Sequence, residues 1–273
     1  MTLSWDETGD GPAVVLLHSS VCDRRMWDAQ FRSLADAGHR VVRCDFRGFG
    51  ETPAEAVRPY RDADDVIELL DTLGIERAAL VGASFGGRVA VEIAARRPER
   101  VSALALLCAG LAGYEPGPAL RDFDAREDEL IEAGDLAGAV ELNVNTWLGP
   151  EADEAVRERV RLMQRHAFDV QLAADEAAEE AAVAAGETEP EPDDPHIDPA
   201  AVEAPTLVVT GAHDVPDFRA MSARLAELVP GARTTELAWA GHLPSLERPA
   251  EITALLTDFL RECVPLTADS RSR

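Results

Sequence analysis

The stretch Val81-Gly82-Ala83-Ser84-Phe85-Gly86-Gly87 decides the fold, because it places a serine where a strand turns abruptly into a helix. The apolar residues 78–81 predict the strand, and residues 87–94 have the alternation of a helix packed on one side. The glycines two positions before and after the serine carry no side chains that would clash in so tight a turn. Gly-x-Ser-x-Gly in this context is typical of an elbow that exposes a serine hydroxyl above a sheet. We therefore predict that Ser84 is a nucleophile.

Strands and helices alternate on both sides of this elbow. Continuous apolar runs, such as residues 13–17, are typical of strands buried on both faces. This alternation predicts an α/β fold, with a mostly parallel sheet of about seven strands flanked by helices. The predicted strands cover residues 3–8, 13–17, 40–44, 78–81, 101–107, 206–210 and 234–237. The helices predicted between them include residues 23–36, 59–73, 217–228 and 249–262.

The alternation stops between residues 111 and 202, where the chain is predicted to be mainly helical over 119–133, 136–147 and 153–185. We interpret residues 111–202 as a helical cap inserted into an α/β core of residues 1–110 and 203–266, with a loose tail at 267–273. Residues 187–195 are acidic and rich in proline, which predicts an exposed, mobile return linker. A metal-binding acidic loop is the alternative, but the segment lacks the glycine spacing of such loops.

Composition excludes several classes of function. The 273 residues carry a formal charge of −25, which argues against nucleic acid and anionic membranes as partners. All 26 basic residues are arginine, so lysine Schiff-base chemistry is excluded. No apolar run approaches the roughly 20 residues of a membrane span, and the first residues lack a secretory signal pattern. The four cysteines stand far apart, which indicates reduced thiols in a cytoplasmic protein and neither disulfides nor a metal site.

A serine nucleophile needs a base and an acid that orients the base. In a sheet of this order these residues are expected after the serine, first the acid and then a histidine. Asp214 follows the predicted strand at 206–210, and His242 follows the strand at 234–237, so both are predicted at the sheet edge that carries Ser84. Asp217 is the alternative acid, and His213 is the alternative base.

Two backbone N–H groups are expected to bind the oxyanion. Phe85 follows the nucleophile at the start of a helix, and Ser20 lies in the loop after the strand at 13–17. His18 in the same loop is predicted to brace it. The remaining histidines at 39, 166 and 196 are predicted to be exposed. The candidate pocket residues are Trp27, Phe123, Trp147 and Leu243, with Met163 and Phe168 as further candidates; their spacing is equally that of helix core.

Together these motifs make the chain resemble the α/β-hydrolase superfamily over nearly its whole length. The resemblance rests on Leu16-Leu17-His18-Ser19-Ser20, Asp45-Phe46-Arg47-Gly48-Phe49-Gly50, the elbow, Gly211-x-x-Asp214 and Gly241-His242. It is closest to bacterial carboxylesterases and 3-oxoadipate enol-lactonase-like serine hydrolases, through Arg24-Arg25-Met26-Trp27. Two features depart from that pattern: Ser19 stands where the oxyanion motif usually has glycine, and the first of the usual eight strands is expected to be absent. Arg47 is expected to brace its loop through carbonyl groups, and a clamp for a substrate carboxylate is the alternative.

The expected function is hydrolysis of a small carboxylic ester or lactone through a Ser-His-Asp triad and an acyl-enzyme, without a cofactor. Hydrolysis of carbon–carbon bonds or thioesters, and perhydrolysis, are open alternatives, because the same triad serves them. A non-catalytic receptor with a hydrolase fold is the alternative from a different class. The expected partner is a small-molecule ester or lactone, and a homo-oligomer is possible.

Overall fold

A seven-stranded sheet organises the part of the chain that the computed structural model describes, residues 3–54, 60–185 and 197–264. The strand order is β1-β3-β2-β4-β5-β6-β7, and β1 alone runs antiparallel to its neighbour. This confirms the predicted mostly parallel sheet of about seven strands. The strands are β1 Trp5–Thr8, β2 Ala13–Leu17, β3 Arg40–Cys44, β4 Ala78–Ala83, β5 Val101–Leu107, β6 Thr206–Gly211 and β7 Arg233–Leu237.

Nine α-helices accompany the sheet within the described ranges. They are α1 Asp28–Asp36, α2 Asp62–Thr72, α3 Phe85–Arg96, α4 Pro118–Glu132, α5 Leu136–Trp147, α6 Glu154–Ala185, α7 Pro216–Leu228, α8 Pro244–Glu247 and α9 Pro249–Cys263. The helix predicted over 23–36 is divided, because Arg24–Trp27 forms a 3₁₀ turn before α1. Of these helices, none is both long enough and apolar enough to cross a membrane.

The two faces of the sheet carry two separate cores, because successive residues of a strand point to opposite faces. Val14 and Leu16 of β2 belong to one core, and Val15 and Leu17 belong to the other. Helices α1 and α9 contribute Leu34 and Leu256 to the first core. Helices α2, α3 and α7 supply the second core with Leu69, Ile93 and Leu225. The strongly apolar strands at the centre are therefore covered on both sides, as the continuous apolar runs predicted.

Helices α4, α5 and α6 lie between β5 and β6 in the chain and agree closely with the predicted helices of the insertion. Val140, Val144, Val160 and Met163 from α5 and α6 join the first core, so these helices pack on the core and do not stand apart from it. The predicted acidic linker at 187–195 and the predicted tail at 267–273 lie outside the described residues.

One prediction about the surface is wrong. His39 was expected to be exposed, yet it is only 2% exposed. It lies between α1 and β3, where the β1–β2 turn packs so closely that a Cβ on Gly9 would stand 2.0 Å from the His39 carbonyl oxygen. His166, in contrast, is exposed and contacts the Gly50 carbonyl oxygen at 2.8 Å through Nε2. His196 lies outside the described residues.

Candidate active site

The elbow at Ser84 is a strained turn between β4 and α3. Ser84 has φ 50° and ψ −114°, a conformation that L-residues rarely adopt and that typically costs about 1–3 kcal/mol. A Cβ on Gly82 would lie 2.4 Å from the Gly86 carbonyl oxygen, and a Cβ on Gly86 would lie 2.4 Å from that of Leu17. Both glycines are therefore required by close backbone approach. Ser84 is 3% exposed and lines a cavity of about 280 Å³.

Asp214 and His242 form a buried pair at the same edge of the sheet. His242 Nδ1 lies 2.9 Å from Asp214 Oδ2 and 3.0 Å from Oδ1, and the two residues are 2% and 5% exposed respectively. A proton on Nδ1 satisfies the carboxylate and leaves Nε2 as the basic nitrogen. His242 lines the same cavity as Ser84. Within the described chain no hydrogen bond joins the side chains of Ser84 and His242. A contact between a nucleophile and its base is often long before substrate binds.

The alternative acid and base lie elsewhere. The Asp217 carboxylate accepts a hydrogen bond from the backbone N–H of Gly117, at the start of α4. It therefore ties α7 to α4, whereas Asp214 holds the imidazole. His213 is exposed, although it precedes Asp214 directly.

Arg47 braces its loop against α2. Its guanidinium forks onto the Asp65 carboxylate at 2.5 and 2.7 Å and stacks 4.2 Å over the Tyr60 ring. The sequence predicted carbonyl partners for this fork, and among its described partners is the Asp65 carboxylate. Arg47 is not among the residues that line the cavity.

Of the two predicted oxyanion donors, Ser20 lines the cavity and Phe85 directly follows Ser84, which lines it. Phe85 is the first residue of α3, so its N–H has no acceptor within the helix. Ser20 is exposed and lines the cavity. The backbone of Ser19 closes a turn, because its carbonyl accepts from the Cys22 N–H at 3.0 Å. What serine adds to the usual glycine is a hydroxyl that lies 3.5 Å from the Val21 nitrogen, across the same turn. Ser19 thus closes the turn that presents Ser20.

His18 joins this loop to the next one. Its Nε2 accepts a hydrogen bond from the Phe46 N–H at 3.0 Å, and its Nδ1 donates to the Ser19 carbonyl at 2.8 Å. Complete burial lowers the pKa of His18, which favours the neutral ring that can make both bonds. The imidazole is therefore a fixed structural link between two loops.

Two of the four predicted pocket residues, Phe123 and Trp147, line the cavity, as does Phe168. Trp27 and Leu243 do not. Both are fully buried within the first core: Trp27 ends the 3₁₀ turn before α1, and Leu243 directly follows His242. Met163 also belongs to that core. Residue type does not distinguish an apolar side chain that lines the cavity from one that packs in the core. The structure places Trp27 and Leu243 in the core.

Sequence reasoning missed two residues beside His242. The Phe218 ring meets the imidazole edge-on, with centroids 4.2 Å apart. Glu247 accepts hydrogen bonds from the N–H groups of Gly241 at 3.0 Å and Gly149 at 3.1 Å. Burial raises the pKa of Glu247, and its backbone donors oppose that shift. The only local signal for Glu247 is its position five residues after the histidine, on α8.

A buried thiol lies behind the acid–base pair. Cys108 follows β5 with φ 47°, and its Sγ, an Asp214 oxygen and a His242 nitrogen lie within 4.8 Å of one another. His242 Nδ1 already makes hydrogen-bond contacts with both Asp214 carboxylate oxygens. Burial raises the pKa of the Cys108 thiol well above its usual range, so the thiol that packs against this pair is neutral. The arrangement is that of an imidazole oriented by a carboxylate, in a cavity that Ser84 also lines.

Comparison with known proteins agrees with this geometry. Residues 12–249 match the family model described as the alpha/beta hydrolase fold. The 2-hydroxymuconate semialdehyde hydrolase of Pseudomonas sp. (strain CF600) is 31% identical, over 94% of this chain and 89% of that protein.

Two solved structures extend the similarity to three dimensions. A thermophilic esterase from Thermogutta terrifontis superposes with a TM-score of 0.75 at 28% identity, covering 96% of this chain and 93% of that one. The enol-lactonase from Burkholderia xenovorans LB400 superposes with a TM-score of 0.74 at 26% identity, covering 94% and 96% of the two chains. The chain therefore belongs to the alpha/beta hydrolase family and is a hydrolase.

Proposed function

We propose that the protein hydrolyses small carboxylic esters or lactones by way of an acyl-enzyme on Ser84. The observation that carries the proposal is the buried His242–Asp214 pair, which opens into the same cavity as the serine at the strained elbow. This is the arrangement that covalent catalysis by a hydroxyl requires: a nucleophile, a base and a group that orients the base.

In the proposed reaction, His242 Nε2 takes the Ser84 proton as Oγ attacks the carbonyl carbon. The N–H groups of Phe85 and Ser20 stabilise the resulting oxyanion. Collapse of the tetrahedral intermediate breaks the bond to the alcohol oxygen, which receives the proton from His242. Water, deprotonated by the same imidazole, then attacks the acyl-enzyme and releases the acid and free Ser84. In a lactone the alcohol and the acid are parts of one product.

The cavity supports a small substrate. Its volume of about 280 Å³ lies near the lower end of the roughly 300–1,000 Å³ of ligand pockets. Helices α4, α5 and α6 supply much of its lining, including Phe123, Trp147 and Phe168. We therefore also propose that residues 111–202 act as a cap that selects the substrate. The buried free thiols of Cys22, Cys44 and Cys108 support a cytoplasmic location, where thiols stay reduced.

The test is hydrolysis of p-nitrophenyl acetate and a small lactone by the wild type and by Ser84→Ala. We expect Ser84→Ala to lose about three orders of magnitude or more in kcat. Ser102→Ala is the matched control, because Ser102 lies near the amino end of β5, away from the cavity. Turnover by Ser84→Ala at the wild-type rate would contradict the proposal. Binding of these esters without turnover by the wild type would favour the non-catalytic receptor.

A further inference from the structure

The cavity lining divides into an aromatic half beside the base and a polar half beyond it. The Trp147 ring lies 4.7 Å from the His242 ring, and the Phe123 ring lies 4.8 Å beyond it. Asn143 precedes Trp147 by four residues of α5, a rise of about 6 Å, and accepts a hydrogen bond from its indole N–H at 2.8 Å. Asn143 is therefore linked to the imidazole through the Trp147 side chain.

Asn143 has no N–H donor left for a ligand. Its Oδ1 accepts the Trp147 indole N–H, and its Nδ2 donates to Glu127 Oε1 and to the Ala139 carbonyl at 3.0 Å. Its role is to fix the Glu127 carboxylate at the cavity wall. Glu127 is half-buried and lines the cavity, and it is followed toward the rim by Asp124, one helical turn earlier on α4.

Gln164 on α6 is the unsatisfied member of this half. Its side chain is only 5% exposed and lines the cavity, and its Oε1 has no hydrogen-bond partner in the described structure. A buried acceptor without a donor carries an uncompensated desolvation cost. A donor on a bound molecule would remove that cost, so Gln164 marks a position where the ligand carries an N–H or O–H group.

The charge of the polar half has one sign. Glu127 and Asp124 are carboxylates, and none of the described residues that line the cavity is an arginine. Burial raises the pKa of Glu127, with a smaller contribution in the same direction from Asp124 and opposition from the Asn143 hydrogen bond. A substrate carboxylate placed here would be repelled by both side chains, whereas a hydroxyl or an ammonium group would be stabilised.

We propose that Glu127 and Gln164, with Asp124 at the rim, form a subsite of hydrogen-bond acceptors that binds a hydroxyl or ammonium group of the substrate. The inference rests on the proposed function, because it assigns the substrate class of the same cavity. The preferred substrate is then an ester or lactone whose non-reacting end carries a hydrogen-bond donor and no carboxylate.

Binding of hexylammonium, 1-hexanol and hexanoate to the wild type tests the subsite, measured by calorimetry in 0.15 M salt to screen the overall charge. We expect both donors to bind at least about tenfold more tightly than hexanoate. Glu127→Gln should reduce the preference for hexylammonium over hexanoate by about tenfold. Gln164→Leu should weaken the binding of 1-hexanol more than that of the other two ligands. Glu132→Gln is the matched control, because it makes the same charge change at an exposed position of α4.

Equal affinity for hexanoate and the two donors would overturn the subsite, and so would equal effects of Glu127→Gln and Glu132→Gln. Hydrolysis of methyl 6-hydroxyhexanoate and monomethyl adipate separates this outcome from the proposed function. Ser84-dependent turnover that favours the adipate ester would leave the hydrolase standing and remove the subsite. Donor-selective binding without Ser84-dependent turnover of any ester would support the subsite and contradict the proposed hydrolase function.

Discussion

The backbone N–H of His242 donates a hydrogen bond to the carbonyl oxygen of Trp147 at 2.8 Å, and the two rings lie 4.7 Å apart. The loop that carries the base is therefore bonded to the last residue of cap helix α5. Contact between their backbones is so close that a Cβ on Gly241 would stand 2.3 Å from the Gly149 nitrogen. Helix α5 and the loop after β7 meet at the candidate catalytic base, so the position of the imidazole depends on both.

Glu247 should maintain this junction. Its carboxylate accepts from Gly241 on the base loop and from Gly149 after α5, so Glu247→Gln places an amide N–H₂ against backbone donors. We expect an increase in KM, a fall in kcat and a loss of stability on the order of 2 kcal/mol, measured by denaturant unfolding. Glu251→Gln is the control, because Glu251 is exposed on α9 and pairs with Arg248. Equal stability and kinetics of the two variants would show that Glu247 does not position the loop.

The two neighbouring aspartates should behave differently. Asp214→Asn keeps the size of the side chain but favours the wrong imidazole tautomer, and we expect kcat to fall by about 10⁴-fold. Asp217→Asn should act mainly on stability, because its carboxylate bonds the Gly117 N–H at the start of α4. Steady-state kinetics and thermal unfolding of both variants measure the two effects. A larger loss of kcat in Asp217→Asn would transfer the role of acid to that residue.

Asp62 should make stability depend on pH. Burial, and then repulsion from Asp65, raises its pKa from 3.8 to about 6 in the folded protein. Since the folded state binds this proton more tightly than the unfolded state, the stabilising effect is complete below about pH 4 and is lost as pH rises through about 6. Asp62→Asn should therefore gain stability relative to the wild type as pH increases across that window.

The measurement for Asp62 is the difference in unfolding free energy between variant and wild type from pH 4 to 7. Asp64→Asn is the control, because it removes a charge from the same helical turn at an exposed position that pairs with Arg96. A constant difference for Asp62→Asn across the window would contradict the raised pKa.

Much of the fold could be predicted because the signals are local. Apolar runs such as β2 and the glycines around Ser84 specify strand and elbow without reference to the rest of the chain. Asp214 and His242 could be placed because parallel strands end at one edge of the sheet, and the structure brings them together. Their catalytic roles stay predictions until activity is measured.

The remaining features depend on contacts between distant segments. Glu247 acts on Gly149, 98 positions away, and no pattern near Glu247 encodes that partner. Trp27 was predicted to line the cavity and lies in the core, because residue type does not distinguish a core side chain from a cavity side chain. The polar wall of the cavity was missed for a related reason: Gln164 is significant only because helix packing buries it without a partner.

The central claim, that Ser84 is the activated nucleophile, is tested most directly by covalent labelling. A small fluorophosphonate reacts with a serine only when a neighbouring base activates its hydroxyl. Intact-mass and peptide analysis of the wild type should show one adduct on Ser84, formed in parallel with loss of esterase activity, and Ser84→Ala should show none. An adduct on another residue, or an unlabelled wild type that still turns over ester, would contradict the claim.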